Sequence, residues 1–131
     1  MVLKQISVLN PRLLALLAGA GHMDLIVIAD AGLPIPPGVE LIDLSLVSGV
    51  PSFLQVFDAV RGLLVVQQAI LAQELRDQPL FSALPSRLEG VPLEEVSHES
   101  FKLRTVQALA IIRTGECTPY ANIGLVAGVA F

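Results

Sequence analysis

The spacing of apolar residues divides the chain into short segments that alternate between helical and strand patterns. Leucines recur at helical spacing directly after an Asn-Pro pair, which is a favourable helix start, and this pattern predicts a helix over residues 11–19. The run LIVIA, residues 25–29, is continuously apolar and rich in β-branched side chains, which is typical of a strand buried on both faces. Such strands belong to parallel or mixed sheets that carry helices on either side.

The middle of the chain continues this alternation. Residues 39–46 predict a second strand, and Ser52 is a suitable N-cap for a helix that ends at Gly62. The next segment, LLVVQQAILAQELR, has the 3.6-residue spacing of a helix, but its residues 63–69 are equally compatible with a strand. The local pattern does not decide between these two structures.

The remaining segments predict shorter elements. They are a helix over residues 77–90, a short strand over 92–96, a short helix over 98–105, and strands over 107–115 and 121–131. Strands interleaved with helices along the whole length indicate the α/β fold class. A length of 131 residues predicts a single domain, residues 1–131.

The composition is unusually apolar for a domain of this size. Hydrophobic residues make up 53% of the chain and charged residues 15%, whereas about 25% charged residues is usual. The longest uncharged stretches, residues 44–57 and 117–131, contain Gly and Pro and are shorter than the ~18–20 apolar residues that a membrane span needs. We therefore expect no membrane span, but a soluble homo-oligomer with large apolar interfaces.

Charge and motif content argue against several classes of function. The net charge is -4 and Lys and Arg form no cluster, so no nucleic-acid partner is expected. No glycine-rich phosphate loop occurs, so no nucleotide cofactor is expected. The single cysteine, Cys117, excludes an internal disulfide, and with His22 and His98 it lacks zinc-ligand spacing, so we expect no metal. The run LLALLAGAG faintly resembles a signal peptide, but the helix start that precedes it favours a helix of the folded domain. We therefore expect a cytoplasmic protein.

The stretch GHMDLIVIADAGLPIP contains the first candidate site. His22 is a candidate because histidine is the residue type most often used for proton transfer near neutral pH, although a loop histidine without a catalytic role is the commoner case. Asp30 follows the buried strand, and ligands of open α/β sheets bind outside the carboxyl ends of strands. The alternative is that Asp30 only caps the turn before Gly32. For Asp24 we favour a structural role at the strand entry over one in orienting the imidazole.

Two later segments contain further candidates. His98 lies at a predicted helix start behind Ser97, so its default role is structural, and Lys102 shares its face of the helix. In GECTPYAN, Tyr120 and Asn122 are two residues apart and in an extended chain point the same way. An aromatic face and a hydroxyl beside an amide suit a sugar, which presents C–H patches and hydroxyls. The alternative is a turn tyrosine whose hydroxyl is hydrogen-bonded locally.

Several sequence blocks together resemble one known family. GHMDLIVIADAGLPIP near the amino end, GVPSFLQV in the middle, HESFK after it, and RTGECTPYANI with AGVAF toward the carboxyl end are similar to the D-ribose pyranase family. The blocks occur in the family's order. Fucose mutarotases, a related branch, share the early histidine and the aspartate after the strand, but AGLPIP and PYAN resemble the ribose branch more closely.

The resemblance implies a fold and an activity. The fold would be a three-layer α/β/α sandwich with a mixed, mostly parallel sheet, including a strand in residues 63–73. The activity would be interconversion of the β-pyranose and β-furanose forms of D-ribose, an isomerase reaction of ribose catabolism that needs no cofactor and no metal. Family members form rings, commonly decamers of two stacked pentamers, in which a neighbouring subunit completes each site.

The resemblance also assigns residue roles. His22 matches the family's proton-donating histidine. The positions that match substrate-binding residues are Asp30, His98, Tyr120, Ala121 and Asn122. Lys102 is a candidate to support these residues without touching the sugar. His98 either holds the anomeric hydroxyl or acts as the partner base, and the sequence does not choose.

Two other functions stay open at this point. One is a mutarotase for fucose or another monosaccharide, which would use the same chemistry. The other is a sugar-binding accessory of a transport system, which would hold ribose without turning it over. Both would take a monosaccharide as their ligand.

Overall fold

The computed structural model describes residues 8–131, which contain one sheet of six strands. The strands are β1 (Leu25–Ala29), β2 (Glu40–Asp43), β3 (Val66–Ala72), β4 (Leu93–Val96), β5 (Ala110–Arg113) and β6 (Ile123–Ala127), in the order β2-β5-β1-β6-β3-β4. Strand β6 is antiparallel to its neighbours β1 and β3, and the other three pairs are parallel. The α/β class and the mixed, mostly parallel sheet are therefore confirmed.

Four short α-helices accompany the sheet. They are α1 (Pro11–Gly19), α2 (Phe53–Arg61), α3 (Leu84–Arg87) and α4 (His98–Arg104). The first begins as predicted, because the Asn10 side chain accepts a hydrogen bond from the Leu13 N–H at 2.9 Å. The second begins with a capping box formed by Ser52 and Gln55. None of the helices in the described range is long and apolar enough to cross a membrane.

Alternate strand residues supply two hydrophobic clusters on opposite faces of the sheet. In β1, Ile26 and Ile28 belong to the larger cluster, which also contains buried side chains of α1, α2 and α3. Val27 and Ala29 belong to the smaller cluster, which contains Phe101 of α4. Side chains alternate across a strand, so helices contribute to the core on both sides of the sheet.

The structure of residues 63–90 differs in part from what the apolar pattern predicts. The ambiguous segment contains β3, as the family resemblance implied, and β3 pairs with β6 and β4. The helix predicted over residues 77–90 is wrong, because 3₁₀ turns at Gln73–Asp77 and Pro79–Ala83 precede the four-residue α3. Pro79 and Pro85 lack the N–H that an α-helix interior requires, so the segment breaks into short turns.

Three predicted strands are shorter than the apolar runs that suggested them. Residues 39–46, 107–115 and 121–131 form strands only over Glu40–Asp43, Ala110–Arg113 and Ile123–Ala127. After β2, the Asp43 carboxylate accepts hydrogen bonds from the main-chain N–H and hydroxyl of Ser45, which turn the chain out of the sheet. At the end of β2, a side chain that bonds to the main chain therefore stops the strand before the apolar run ends.

Candidate active site

The chain direction of β6 gathers most candidate residues at one edge of the sheet. Asp30 follows β1 and His98 follows β4, so both lie past carboxyl ends of strands. Tyr120 and Asn122 precede β6, and because β6 runs against the other strands, its start lies at this same edge. Candidate residues from three separate segments of the sequence thus share the carboxyl edge, where α/β proteins bind ligands.

A buried amide fixes Asp30. Asn122 is 0% exposed, and its Oδ1 accepts a hydrogen bond from the Asp30 main-chain N–H at 2.8 Å. Its Nδ2 donates to Asp30 Oδ2 at 3.2 Å. The other carboxylate oxygen, Oδ1, accepts from the Gly32 N–H at 2.9 Å. Asp30 therefore caps the turn before Gly32 and is also held half-buried at the edge, with acceptor capacity beyond these bonds.

The segment before β6 makes a tight turn. Tyr120 has a φ of 64°, in the left-handed region, and its carbonyl accepts a hydrogen bond from the Asn122 N–H at 2.8 Å. The extended chain assumed for Tyr120 and Asn122 is therefore wrong, and Asn122 is buried while Tyr120 is only half-buried. Ala121 packs in the larger hydrophobic cluster, so it can offer a ligand only its main-chain groups.

His98 packs against Tyr120. The two ring centroids are 5.0 Å apart with an interplanar angle of 77°, an edge-to-face contact. The His98 main-chain N–H donates to both carboxylate oxygens of Glu74, at 3.0 and 3.1 Å, which fixes the start of α4. His98 Nδ1 is buried without a hydrogen-bond partner among the described residues. The ring contact thus brings His98 to Tyr120, two residues before Asn122, at the carboxyl edge.

Lys102 contacts an acidic residue of its own helix. Its Nζ lies 2.9 Å from the Glu99 carboxylate, three residues earlier on α4. The hydrogen bond and the positive charge of Lys102 hold the pKa of Glu99 below its ordinary value. A supporting role of Lys102 at the site stays a prediction.

His22 lies at the opposite edge of the sheet. It is exposed and precedes β1, whereas Asp30 follows β1, and five strand residues at about 3.3 Å each separate the two positions by roughly 16 Å. His22 Nε2 is 3.0 Å from Oε1 of Gln67 in β3, and the Met23 N–H donates to the Ala127 carbonyl at 2.8 Å. A single copy of the chain does not bring His22 to Asp30.

Asp24 has the structural role that we favoured. Its Oδ2 accepts a hydrogen bond from the Gly21 N–H at 2.8 Å, and its carbonyl accepts from the Ala127 N–H at 2.8 Å. The carboxylate thus closes the turn that leads from His22 into β1.

The sequence reasoning missed Glu116. Its Oε1 accepts a hydrogen bond from the Phe53 N–H at the start of α2, at 2.9 Å, and its Oε2 accepts from the Thr118 hydroxyl at 2.8 Å. Its carbonyl accepts from the Ala31 N–H at 2.9 Å, so it ties the turn before Tyr120 to the Asp30 loop. Glu116 follows β5 closely, so the rule that selected Asp30, a carboxylate past a strand end, would also have selected it.

Protein relatives match the chain over almost its whole length. A model of the RbsD / FucU transport protein family matches residues 3–130. A D-ribose pyranase of Geobacillus kaustophilus is 53% identical over 131 residues, which cover 98% of this chain and 96% of the relative. A D-ribose pyranase of Symbiobacterium thermophilum is 47% identical, with 98% of this chain and 100% of the relative covered.

Solved structures have the same fold. Bacillus subtilis RbsD complexed with D-ribose matches with a TM-score of 0.92 at 46% identity, covering 98% of this chain and 100% of that one. A Streptococcus pneumoniae fucose mutarotase in complex with L-fucose matches with a TM-score of 0.82 at 28% identity, with coverages of 98% and 100%. This chain belongs to the RbsD / FucU family.

Proposed function

We propose that this chain is a D-ribose pyranase, an isomerase that interconverts the β-pyranose and β-furanose forms of D-ribose. Relatives at 53% and 47% identity bear that name over their full length, and the Bacillus subtilis relative was solved with D-ribose. The observation that carries the proposal is Asp30, a half-buried carboxylate that the buried Asn122 holds at the ligand-binding edge of the sheet.

The reaction moves protons and leaves the oxidation state of the sugar unchanged. As the bond between C1 and the ring oxygen breaks, the anomeric oxygen loses its proton to a base and becomes a carbonyl, and the ring oxygen takes a proton from an acid. A different hydroxyl then attacks the aldehyde, and the same two transfers run in reverse. A positioned acid or base accelerates such a step by ~10²- to 10⁴-fold, which suits the histidine assigned here as the acid, His22.

Each residue at the carboxyl edge has a role that its contacts support. Asp30 accepts hydrogen bonds from sugar hydroxyls, and Asn122 acts through Asp30 by holding its main chain and carboxylate. Tyr120 and His98 form an aromatic wall suited to the C–H face of a sugar, and His98 holds the anomeric hydroxyl or takes its proton. Ala121 contributes main-chain groups only.

A second copy of the chain supplies the missing acid. His22 is exposed at the amino edge of β1 and Asp30 lies at the carboxyl edge, so we assign the two residues of one site to neighbouring subunits. Exposed apolar side chains support such contacts: Met23, Leu46, Val47, Leu103, Val106 and Leu109. A decamer of two pentameric rings and a cytoplasmic location are the finer predictions that go with this assignment.

Saturation-transfer NMR on D-ribose tests the proposal. The wild-type protein should exchange the cyclic forms faster than the uncatalysed rate, and His22→Ala and Asp30→Asn should each lose most of that acceleration, about 10²-fold or more for His22→Ala. Asp77→Asn, which changes an exposed aspartate in a 3₁₀ turn, is the matched control and should exchange at the wild-type rate. A His22→Ala protein as fast as wild type contradicts the assignment of the acid.

The same measurement separates the alternative functions. A mutarotase for another sugar would accelerate exchange of L-fucose more than that of D-ribose; the lower identity of 28% to the fucose mutarotase favours ribose. A sugar-binding accessory would bind ribose in calorimetry while the exchange stays at its uncatalysed rate.

A further inference from the structure

Strand β3 has a β-bulge beside His22. Val66 pairs with Ala127 and Gln68 pairs with Val126, so Gln67 is an extra residue with no opposite partner on β6. A bulge redirects the side chain of its extra residue, and bulges are over-represented next to active sites. Here the extra residue meets the segment that carries His22, which is tied to Ala127 through Met23.

The amide of Gln67 has a defined orientation. Its Nε2 lies 2.8 Å from Sδ of Met23, and a thioether sulfur can only accept a hydrogen bond, so the amide nitrogen faces the sulfur. The amide oxygen, Oε1, therefore faces His22 Nε2 at 3.0 Å. An amide oxygen can only accept, so Nε2 of the imidazole carries the proton of this hydrogen bond.

We propose that Gln67 is a positioning residue for proton transfer by His22. By keeping Nε2 protonated, it leaves Nδ1 as the nitrogen that faces the sugar. When the imidazolium gives its Nδ1 proton to the ring oxygen, the neutral ring stays in the Nε2–H form on Gln67, and Nδ1 takes the proton back on ring closure. This inference rests on the proposed function of His22 as the acid.

Gly128 leaves the space that Gln67 needs. A Cβ at Gly128 would lie 3.3 Å from the Gln67 Cβ, which is tighter than an ordinary contact, and 3.4 Å from Val65 Cγ1. The Gly128 N–H also donates to the Val65 carbonyl at 2.8 Å, which closes the ladder beyond the bulge. A glycine at position 128 thus leaves room for the Gln67 side chain at the bulge.

Three substitutions of one residue test the proposal. Gln67→Glu keeps an acceptor, Gln67→Leu removes it at similar size, and Gln67→Lys replaces it with a donor. Gln68→Leu is the matched control, because Gln68 is the next residue of the strand and its amide bonds to Glu94 at 3.3 Å. The measurements are kcat and KM for ribose exchange and the long-range ¹H–¹⁵N spectrum of the imidazoles, which is simple because the chain has two histidines.

We expect His22 to be protonated at Nε2 in wild type and Gln67→Glu, and at Nδ1 in Gln67→Lys. The kcat of Gln67→Leu should fall about threefold to tenfold with an unchanged KM, as expected for one neutral hydrogen bond. The kcat of Gln67→Lys should fall further, while the kcat values of Gln67→Glu and Gln68→Leu should stay near that of wild type. An unchanged tautomer together with an unchanged kcat in Gln67→Leu and Gln67→Lys would overturn the proposal.

Failure of this inference is distinguishable from failure of the proposed function. If wild type does not accelerate ribose exchange, the function fails, and the tautomer of His22 is still measurable in the ligand-free protein. If His22→Ala is inactive but every Gln67 variant matches wild type in rate and tautomer, only the role of Gln67 fails.

Discussion

At the scale of single residues, the candidate site depends on side chains that bond to distant segments of the chain. Asn122 holds Asp30 across 92 positions of sequence, and Gln67 meets His22 across 45. Asp30 and His22 are predictable from sequence, because one follows a buried strand and the other belongs to a recognisable block. Asn122 as a holder of Asp30, and Gln67 as a partner of His22, are not, because both contacts arise from sheet pairing that local spacing does not encode.

Asn122→Leu should lower both stability and activity. The substitution keeps the branched shape and the number of side-chain heavy atoms but removes two hydrogen bonds and leaves the part-buried Asp30 N–H without its Asn122 partner, which should cost about 2–4 kcal/mol in the free energy of unfolding. Urea denaturation at a fixed protein concentration measures this loss, and NMR exchange on ribose measures the effect of the released carboxylate.

Asn10→Ala is the control for that experiment. It removes the N-cap of α1, whose side chain bonds to Leu13 of the same helix and to no candidate site residue in the described range, and should cost about 1 kcal/mol while leaving ribose exchange at the wild-type rate. If Asn122→Leu retained full activity at the same loss of stability, Asn122 would be only a structural residue.

At the scale of secondary-structure elements, the sequence predicts well where local signals agree. The Asn-Pro start of α1, the LIVIA run of β1 and the Ser52 cap of α2 each combine an apolar period with a start or stop signal, and all three elements are found. Residues 77–90 lack such agreement, since prolines interrupt the apolar period. The order of the strands and the reversed direction of β6 depend on long-range pairing, so no local pattern could have given them.

Gly115→Ala should strongly destabilise the turn after β5. An added Cβ would lie 2.4 Å from the Val50 carbonyl oxygen and 2.7 Å from that of Val47, and these backbone atoms cannot rotate away. We expect a loss of about 1–3 kcal/mol or more in the free energy of unfolding, measured by urea denaturation.

Gly19→Ala is the matched substitution for this prediction. At this last residue of α1, the added Cβ would meet no atom of other described segments within 4 Å, so stability should stay level or rise by up to about 1 kcal/mol. Equal effects of the two substitutions would show that close approach at Gly115 does not limit stability.

At the scale of the whole molecule, the central feature is that His22, the proposed acid, and Asp30, the proposed binding carboxylate, lie at opposite edges of one sheet. Leu103 is 74% exposed and Met23 is 62% exposed, so apolar surface is available for contacts between copies. The high apolar content of the sequence already pointed to such contacts. It did not suggest that the candidate site is divided between copies, because that proposal follows from the strand directions.

Mixing two inactive variants tests this account most directly. His22→Ala and Asp30→Asn chains are co-expressed, the assemblies are purified, and ribose exchange is measured by saturation-transfer NMR. If neighbouring copies supply His22 and Asp30, random assembly leaves about a quarter of the sites with both residues intact, and the mixture should regain about that share of the wild-type acceleration. A mixture no faster than the two variants measured separately would contradict a site shared between subunits.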